Sequence, residues 1–308
     1  MKRLFICLAV CAFLPQPLIA QERARPSSPK KVRVNGVELH YVDEGTGVPV
    51  VFVHGGLEDY RAWQPQMAAF SQRHRTIAYS RRHNYPNARV APGSHYSAAV
   101  DADDLAALIK KLGLAPAHVV GVSYGAYGAL FLAARHPALV RSLVLSEPPL
   151  LRWLPDMEGG KALFTQFMSA VWEPAARGFR VGDEAGLKAA IDGFGQLGYA
   201  MSSERITFST LPPEIRSLLL ENAPEWKALT ASRDAFPALS LEAVKRIKVP
   251  TLMLSGQHTL ALHKVIDGQL ERLLPQRERI VLANASHEMW NEVPEECGRA
   301  ALAFFARH

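Results

Sequence analysis

Cysteine is scarce: the 308-residue chain carries three, and two of them, Cys7 and Cys11, fall in its first twenty residues. If that stretch is removed, Cys297 alone remains and no internal disulfide can form. Cys297 lies in a C-terminal helical pattern with no His or Cys at ligand spacing, so it reads as a packed helix residue. Runs of one charge are also missing. The 35 basic and 29 acidic residues give a net charge of +6, but the basic ones are scattered. Arg81-Arg82 and Lys110-Lys111 are pairs, and no aromatic-basic stripe accompanies them, which speaks against a nucleic-acid partner. No internal repeat or low-complexity tract is present, which excludes solenoids and propellers. No metal cluster, nucleotide loop or haem motif is visible, so neither cofactor nor metal is expected.

Apolar residues make up 48% of the chain and charged residues 21%, values of a globular protein with a sizeable core. The first twenty residues stand apart. Lys2 and Arg3 precede an apolar run from Leu4 to Leu14, Pro15 and Pro17 break it, and Leu18-Ile19-Ala20 leads to Gln21. This is the layout of a secretory signal peptide cut after Ala20, with a run too short to span a bilayer comfortably. The expected location is periplasmic or secreted, with no stable membrane insertion once the signal is gone. Removing Lys2 and Arg3 leaves a net charge of +4. Residues 21 to 30 read as a mobile polar leader.

Beyond the leader, Lys31–Val34 and Val37–Val42 alternate around Asn35-Gly36, a hairpin signal. Val50–Val53 is a continuous apolar run, as a strand covered on both faces would be. Residues 60–72 read as a helix, Thr76–Tyr79 as a strand, and Ser97–Leu112 as a helix that Gly113 ends. His118–Val122 is a strand that passes through a glycine-rich turn into a helix over Ala126–Arg135. Another strand over Leu143–Leu145 ends at Ser146-Glu147-Pro148-Pro149. Residues 150–245 are helical and aromatic with no convincing strand. Thr251–Leu254 and Ile280–Leu282 restore the strand pattern, and a helix runs from Glu295 to His308. Alternating strands and helices predict an α/β fold, a mostly parallel sheet with helices on both faces. Residues 21–149 and 246–308 form its core, and 150–245 a helical cap inserted between two core strands. Ligands of such sheets sit at the carboxyl ends of the strands.

The sharpest chemical signal is Gly121-Val122-Ser123-Tyr124-Gly125, entered by a strand and left by a helix. A residue there is forced into a tight turn that holds its hydroxyl clear of the backbone, beside the N–H groups of a helix N-terminus. The competing reading is a phosphate or dinucleotide turn built on Gly121, Gly125 and Gly128, but the spacing is not G-x-G-x-x-G and several strands come first. The second signal, His54-Gly55-Gly56, follows the buried strand at 50–53, where a loop supplies a second oxyanion N–H. Gly56 and Tyr124 are therefore the expected backbone donors, worth about 3–4 kcal/mol each to a tetrahedral oxyanion. His54 shapes that loop. The third signal is Ser286-His287-Glu288, beyond the last strand. A serine hydroxyl needs an imidazole to take its proton, and His287 is the expected base, with His258 and His263 as competitors. His136 reads as a surface residue.

These three features in this order resemble the α/β-hydrolase superfamily over nearly the whole chain from Val32. The resemblance implies the α/β-hydrolase fold, a Ser–acid–His triad and a cap domain. The family's commonest acid follows the strand before the last, in a G-x-x-D pattern. Here that segment reads Gly256-Gln257-His258-Thr259, with Thr259 in place of Asp. Some members place the acid one strand earlier, a position filled by Glu147. The alternative is that Glu147 only begins the cap, with Asp267 and Asp234 as weaker candidates for the acid. A serine nucleophile points to acyl transfer on esters, lactones, thioesters or activated amides, and leaves perhydrolysis by a cofactor-free haloperoxidase and C–C bond hydrolysis open. A ligand-binding receptor on the same fold would carry the same motifs. Two further stretches stay double-edged. Arg81 to Asn87 either rims the pocket, binds a carboxylate or forms a surface loop. Trp153, Phe164, Phe167 and Trp172 either line an apolar pocket or form the core of the cap. The expected partner is a small acyl substrate, partly apolar, met by a monomeric or weakly associated enzyme.

Overall fold

The protein is described by a computed structural model covering residues 28–91, 93, 95–201 and 204–308. The signal-peptide reading of residues 1–20, and the leader up to 27, lie outside the described residues.

The described residues contain ten strands: β1 (Lys30–Val34), β2 (Val37–Glu44), β3 (Val48–Val53), β4 (His74–Tyr79), β5 (Ala117–Val122), β6 (Val140–Ser146), β7 (Ala200–Met201), β8 (Glu204–Arg205), β9 (Thr251–Gly256) and β10 (Arg277–Leu282). Eight of them form one sheet in the order β1-β2-β4-β3-β5-β6-β9-β10. The β1–β2 and β2–β4 pairs are antiparallel and every other pair is parallel. The Asn35-Gly36 turn makes the hairpin as expected, with both residues at positive φ. Among the described residues eleven α-helices accompany the strands: α1 (Gln64–Phe70), α2 (Ala98–Lys111), α3 (Tyr124–Arg135), α4 (Gly160–Phe167), α5 (Glu173–Val181), α6 (Asp183–Gln196), α7 (Pro213–Ala231), α8 (Leu241–Lys245), α9 (Ala261–Leu273), α10 (Met289–Glu292) and α11 (Pro294–Phe305).

The continuous apolar strands are explained by two cores. Val51 and Val53 of β3 enter one, with α2, α3 and α9, while Val50 and Phe52 enter the other, with α1 and α11. The side-chain period of two is thus kept, but both faces are apolar because helices cover both. Cys297 is buried in the second core. The outer strand β10 is different: Arg277, Glu278 and Val281 are exposed along an edge that carries charge, a common protection against edge-to-edge pairing.

Two element readings need correction. The helix expected over 60–72 is a short 3-10 turn at Tyr60–Trp63 followed by α1. Pro65 at the helix start fixes where α1 begins, since it has no N–H to donate to a preceding turn. The segment 150–245, read as free of strands, contains the β7–β8 ladder of two residues a side. So short a ladder leaves no alternation to detect in sequence.

Between β6 and β9 the chain runs through α4 to α8, and α7 is tied to the sheet by buried charge. Glu225 of α7 accepts from the Leu57 N–H at 2.6 Å, from Asn84 Nδ2 at 3.0 Å and from Arg81 Nη2. Arg81 also donates to Asp101 at 2.5 Å and to the Gly55 carbonyl at 2.9 Å. One turn earlier, Asn222 donates to Asp59 at 2.8 Å and accepts from the Tyr85 N–H at 2.9 Å. Arg81 and Glu225 are both fully buried. Arg81 therefore does bind carboxylates, but they belong to the protein, and the residue is not on a pocket rim. Removing one member of such a cluster leaves its partners charged and dry. Arg81→Met is expected to cost about 3–5 kcal/mol in urea unfolding; a loss under about 1 kcal/mol would show that water replaces the guanidinium there.

Candidate active site

The turn after β5 is built by its glycines. Ser123 sits at φ 50°, ψ −122°, a conformation that costs a non-glycine residue about 1–3 kcal/mol. It is held by the Ser123 N–H donating to the Ser146 carbonyl at 2.7 Å and by α3 starting one residue later. A Cβ on Gly121 would lie 2.8 Å from the backbone of Ala126, and one on Gly125 only 2.4 Å from the Val53 and His54 carbonyls. Nothing larger than glycine fits at either position, so the flanking glycines are needed for β3, β5 and α3 to meet at Ser123.

Glu147, the residue after β6, also has positive φ, at 50°. Its carboxylate is buried and fully engaged. Oε1 accepts from the Gly256 N–H at 2.8 Å; Oε2 accepts from Thr259 Oγ1 at 2.6 Å and from His287 Nδ1 at 2.5 Å. Thr259, standing where the family pattern has an acid, thus donates to the Glu147 carboxylate. Burial alone would raise the Glu147 carboxyl, but the hydrogen bond and charge of His287 outweigh it and hold it below the ordinary range. Burial likewise lowers His287, and the Glu147 bond with the charges of Glu147, Glu288 and Glu58 reverses this to a net rise. Both partners shift toward an ion pair, which fixes the proton on Nδ1 and leaves Nε2 to face other groups.

The other histidines separate clearly. His258 is exposed. His54 is buried, with Nδ1 on the Gly55 carbonyl at 2.8 Å and Nε2 accepting from the Arg81 N–H at 3.0 Å. Burial pushes it down to about 3, so it shapes the loop as a neutral ring. His263 stacks on His287 with ring centres 4.4 Å apart and planes 13° apart. Burial lowers it to about 3 as well, so a neutral ring packs flat against His287 and restricts its rotation. Glu147, His263 and His287 bring possible metal-ligating atoms within 4.8 Å of one another. Nearly parallel rings direct their lone pairs in separate planes, however, so this arrangement suits a hydrogen-bonded pair better than a chelate. The remaining acid candidates lie elsewhere: Asp267 accepts from Ser255 Oγ at 2.6 Å, and the partly exposed Asp234 pairs with Arg152 at 3.9 Å.

Ser123, His287, Gly56 and Tyr124 all line one cavity of about 430 Å³, a volume typical of small-molecule sites. In the loop after β3 the Gly55 N–H donates to Glu58 at 2.7 Å and the Leu57 N–H to Glu225 at 2.6 Å. Among the described residues the Gly56 N–H between them has no acceptor. Tyr124 is the first residue of α3, where helix N–H groups have no partner within the helix. The Tyr124 side chain points away and donates to the Ala235 carbonyl at 2.6 Å. Two residues with such backbone N–H groups thus line the same cavity as Ser123.

Phe167 and Trp172 line the cavity, with Phe194, Tyr199, Trp226 and Phe236. Trp153 and Phe164 do not; Trp153 is spent on the Leu239 carbonyl at 2.7 Å. Sequence reasoning passed over Glu58, Glu225 and Tyr199. For Glu225 a signal exists, since a lone carboxylate shares the α7 face of Asn222, Trp226 and Leu229, all of it buried. For Glu58, part of a polar loop, there is none.

The sequence profile described as the alpha/beta hydrolase fold matches residues 48–290. A Mycobacterium tuberculosis protein bearing the name of a non-heme bromoperoxidase, BpoC, is 26% identical over 274 residues, 88% of this chain and 98% of its own. A 2-(acetamidomethylene)succinate hydrolase of Mesorhizobium japonicum is 34% identical over 115 residues, 37% of this chain and 41% of its own. Among solved structures, a thermophilic esterase from Thermogutta terrifontis superposes with a TM-score of 0.70 at 26% identity, covering 91% of this chain and 99% of that one.

Proposed function

Because the chain belongs to the alpha/beta hydrolase fold family, we propose that it is a serine hydrolase of ester-type bonds in small, partly apolar molecules, working through Ser123, His287 and Glu147. The observation that carries this reading is the Glu147–His287 pair, 2.5 Å apart, opening on the same cavity as a strained Ser123. The likeness to an esterase supports the bond type.

In this reaction Ser123 Oγ attacks the carbonyl carbon while His287 Nε2 takes its proton. Glu147 retains the Nδ1 proton by hydrogen bond and stabilises the imidazolium that forms. The carbonyl oxygen becomes an oxyanion held by the Gly56 and Tyr124 N–H groups. Its collapse breaks the bond to the alcohol, which leaves with the proton from His287. Water then attacks the acyl-enzyme with His287 again as base, and Ser123 is released.

His287 must be neutral to act, so kcat/KM falls as pH drops through its pKa. Since that pKa is raised above 6.5, the acid limb is expected above pH 6.5; a limb at or below pH 6 in a pH–rate profile would argue against the Glu147–His287 pairing. A second reading, perhydrolysis, is favoured by the likeness to a protein named as a bromoperoxidase. It would appear as activity that needs both peroxide and a short carboxylic acid. We also propose export, based on residues 1–20; a periplasmic or secreted product beginning at Gln21 is the expected mass-spectrometric result.

A further inference from the structure

Among the described residues three acids line the cavity without a part in the proposed reaction; Asp59 is paired with Arg61, and Glu58 and Glu288 have no such partner. Glu58 Oε2 accepts from the Gly55 N–H, and a Cβ on Gly55 would lie 3.0 Å from that oxygen and 3.5 Å from Ser123 Cβ. The carboxyl therefore flanks the nucleophile across a single glycine. Glu288 follows His287, its Oε1 accepting from the Tyr199 hydroxyl and its Oε2 from Asn291 Nδ2 at 2.8 Å. Among the described residues neither forms a salt bridge with Lys or Arg. Arg61, also in the cavity wall, is held by Asp59 at 2.7 Å and Glu221 at 2.6 Å. Burial first, and then the charge of Glu288, push Glu58 up to about 7. Burial and the charge of Glu288 disfavour the ionised Glu58 although His287 and Arg81 lie near enough to oppose this, and a cation placed between the two carboxyls would favour it further.

The rest of the wall is aromatic. From Tyr199, whose hydroxyl meets Glu288, rings continue through Phe194 at 5.8 Å and Trp226 at 5.9 Å to Trp172 at 5.6 Å. Trp226 in turn packs over Gly56, its Nε1 2.9 Å from where a Cβ would stand. Ring faces attract organic cations, most strongly when these are desolvated. His263, 5% exposed in the same wall, has no partner for Nδ1 among the described residues. A hard divalent ion such as calcium or magnesium would want six or more oxygen ligands, which two glutamates and a set of rings do not offer. An alkylammonium group needs what is present, negative charge on one side and apolar π-faces on the other.

We propose that this cavity selects substrates bearing an organic ammonium group, with Glu58 and Glu288 matching its charge and Tyr199, Phe194, Trp226 and Trp172 enclosing its alkyl surface. The reaction rests on the serine-hydrolase reading, but the binding preference does not. The test compares isosteres differing in one charge. Choline and 3,3-dimethylbutan-1-ol are titrated into Ser123→Ala protein by calorimetry, and acetylcholine and 3,3-dimethylbutyl acetate are hydrolysed by the wild type.

The ammonium member is expected to be preferred about tenfold or more in Kd and in kcat/KM. In Glu58→Gln/Glu288→Gln the ratio falls toward one, and Glu288→Gln alone, at a half-buried position, gives an intermediate ratio should the double variant not fold. Equal binding of the isosteres, or a ratio unchanged by Glu288→Gln, overturns the proposal. The two readings fail differently. Preferential choline binding with no turnover of either ester keeps the cation site and removes the hydrolase. Turnover of both esters at equal efficiency keeps the hydrolase and removes the cation site.

Discussion

Ser123→Ala is expected to lower kcat for p-nitrophenyl ester hydrolysis by about 10⁶-fold, the scale seen when a triad nucleophile is removed, while the protein stays folded. Retained binding of the substrate analogue would show that the cavity survives. Ala keeps the backbone strain of the turn, because it has a Cβ at the same φ of 50°. Ser123→Gly does not, so the glycine variant should be as inactive as the alanine variant yet more stable by about 1 kcal/mol or more. In a domain of this size 1 kcal/mol is about 2 °C in Tm. The pair separates two properties of one residue. Loss of activity in both variants ties chemistry to the hydroxyl, and the gain in Tm of glycine over alanine measures what the fold gives up to hold it there. A Ser123→Ala protein with more than a few per cent of wild-type activity would remove Ser123 from the mechanism.

The unequal legibility of the site follows from the distance over which each feature is encoded. The Ser123 turn could be read because most of its constraint is local: the strand end, the positive φ of Ser123 and the close approach of Gly121 to Ala126 all fall within six residues, while Gly125 is further needed to pass the Val53 and His54 carbonyls. The parallel sheet could be read because β3, β5 and β9 are short apolar runs bounded by turn residues. Glu147 was legible only as a substitute, inferred from Thr259 standing where a carboxylate was wanted. That Thr259 donates to Glu147 could not be read, since the bond spans 112 residues. The Arg81–Glu225 clamp spans 144, and nothing near Arg81 in sequence announces a carboxylate from α7. The cavity acids fall in the same class. Glu58 sits in a polar loop and Glu288 beside His287, and their significance as a pair comes from being folded into one wall.

Relocating the acid tests the site most severely. Glu147→Gln keeps the shape and can still accept the Gly256 N–H, but it presents an amide N–H to His287 Nδ1. The ring must then carry its proton on Nε2, the atom that should receive the proton of Ser123. A drop of about 10⁴-fold in kcat follows, as for other triads whose acid becomes an amide. Thr259 offers the repair. Ser146 of β6 and Leu254 of β9 are register partners, so the residues just beyond these two strand ends reach the same place, and Thr259 Oγ1 is already 2.6 Å from Glu147 Oε2. In Glu147→Ala/Thr259→Asp the carboxylate grows from the neighbouring strand end and can approach Nδ1 from there. That variant is expected to recover about 10- to 100-fold over Glu147→Gln, because restoring tautomer and charge matters more than which strand supplies them. Thr259→Asp alone should do the opposite. It sets two carboxylates in contact in a buried site, one must take a proton, and activity and stability both fall as pH rises toward 8. Recovery in the double variant together with loss in the single one can come only from a site that accepts one carboxylate from either strand. If Glu147→Gln instead keeps more than about a tenth of the wild-type rate, the His287 partner is not Glu147, and its strained backbone at φ 50° serves only to start the helical segment that follows.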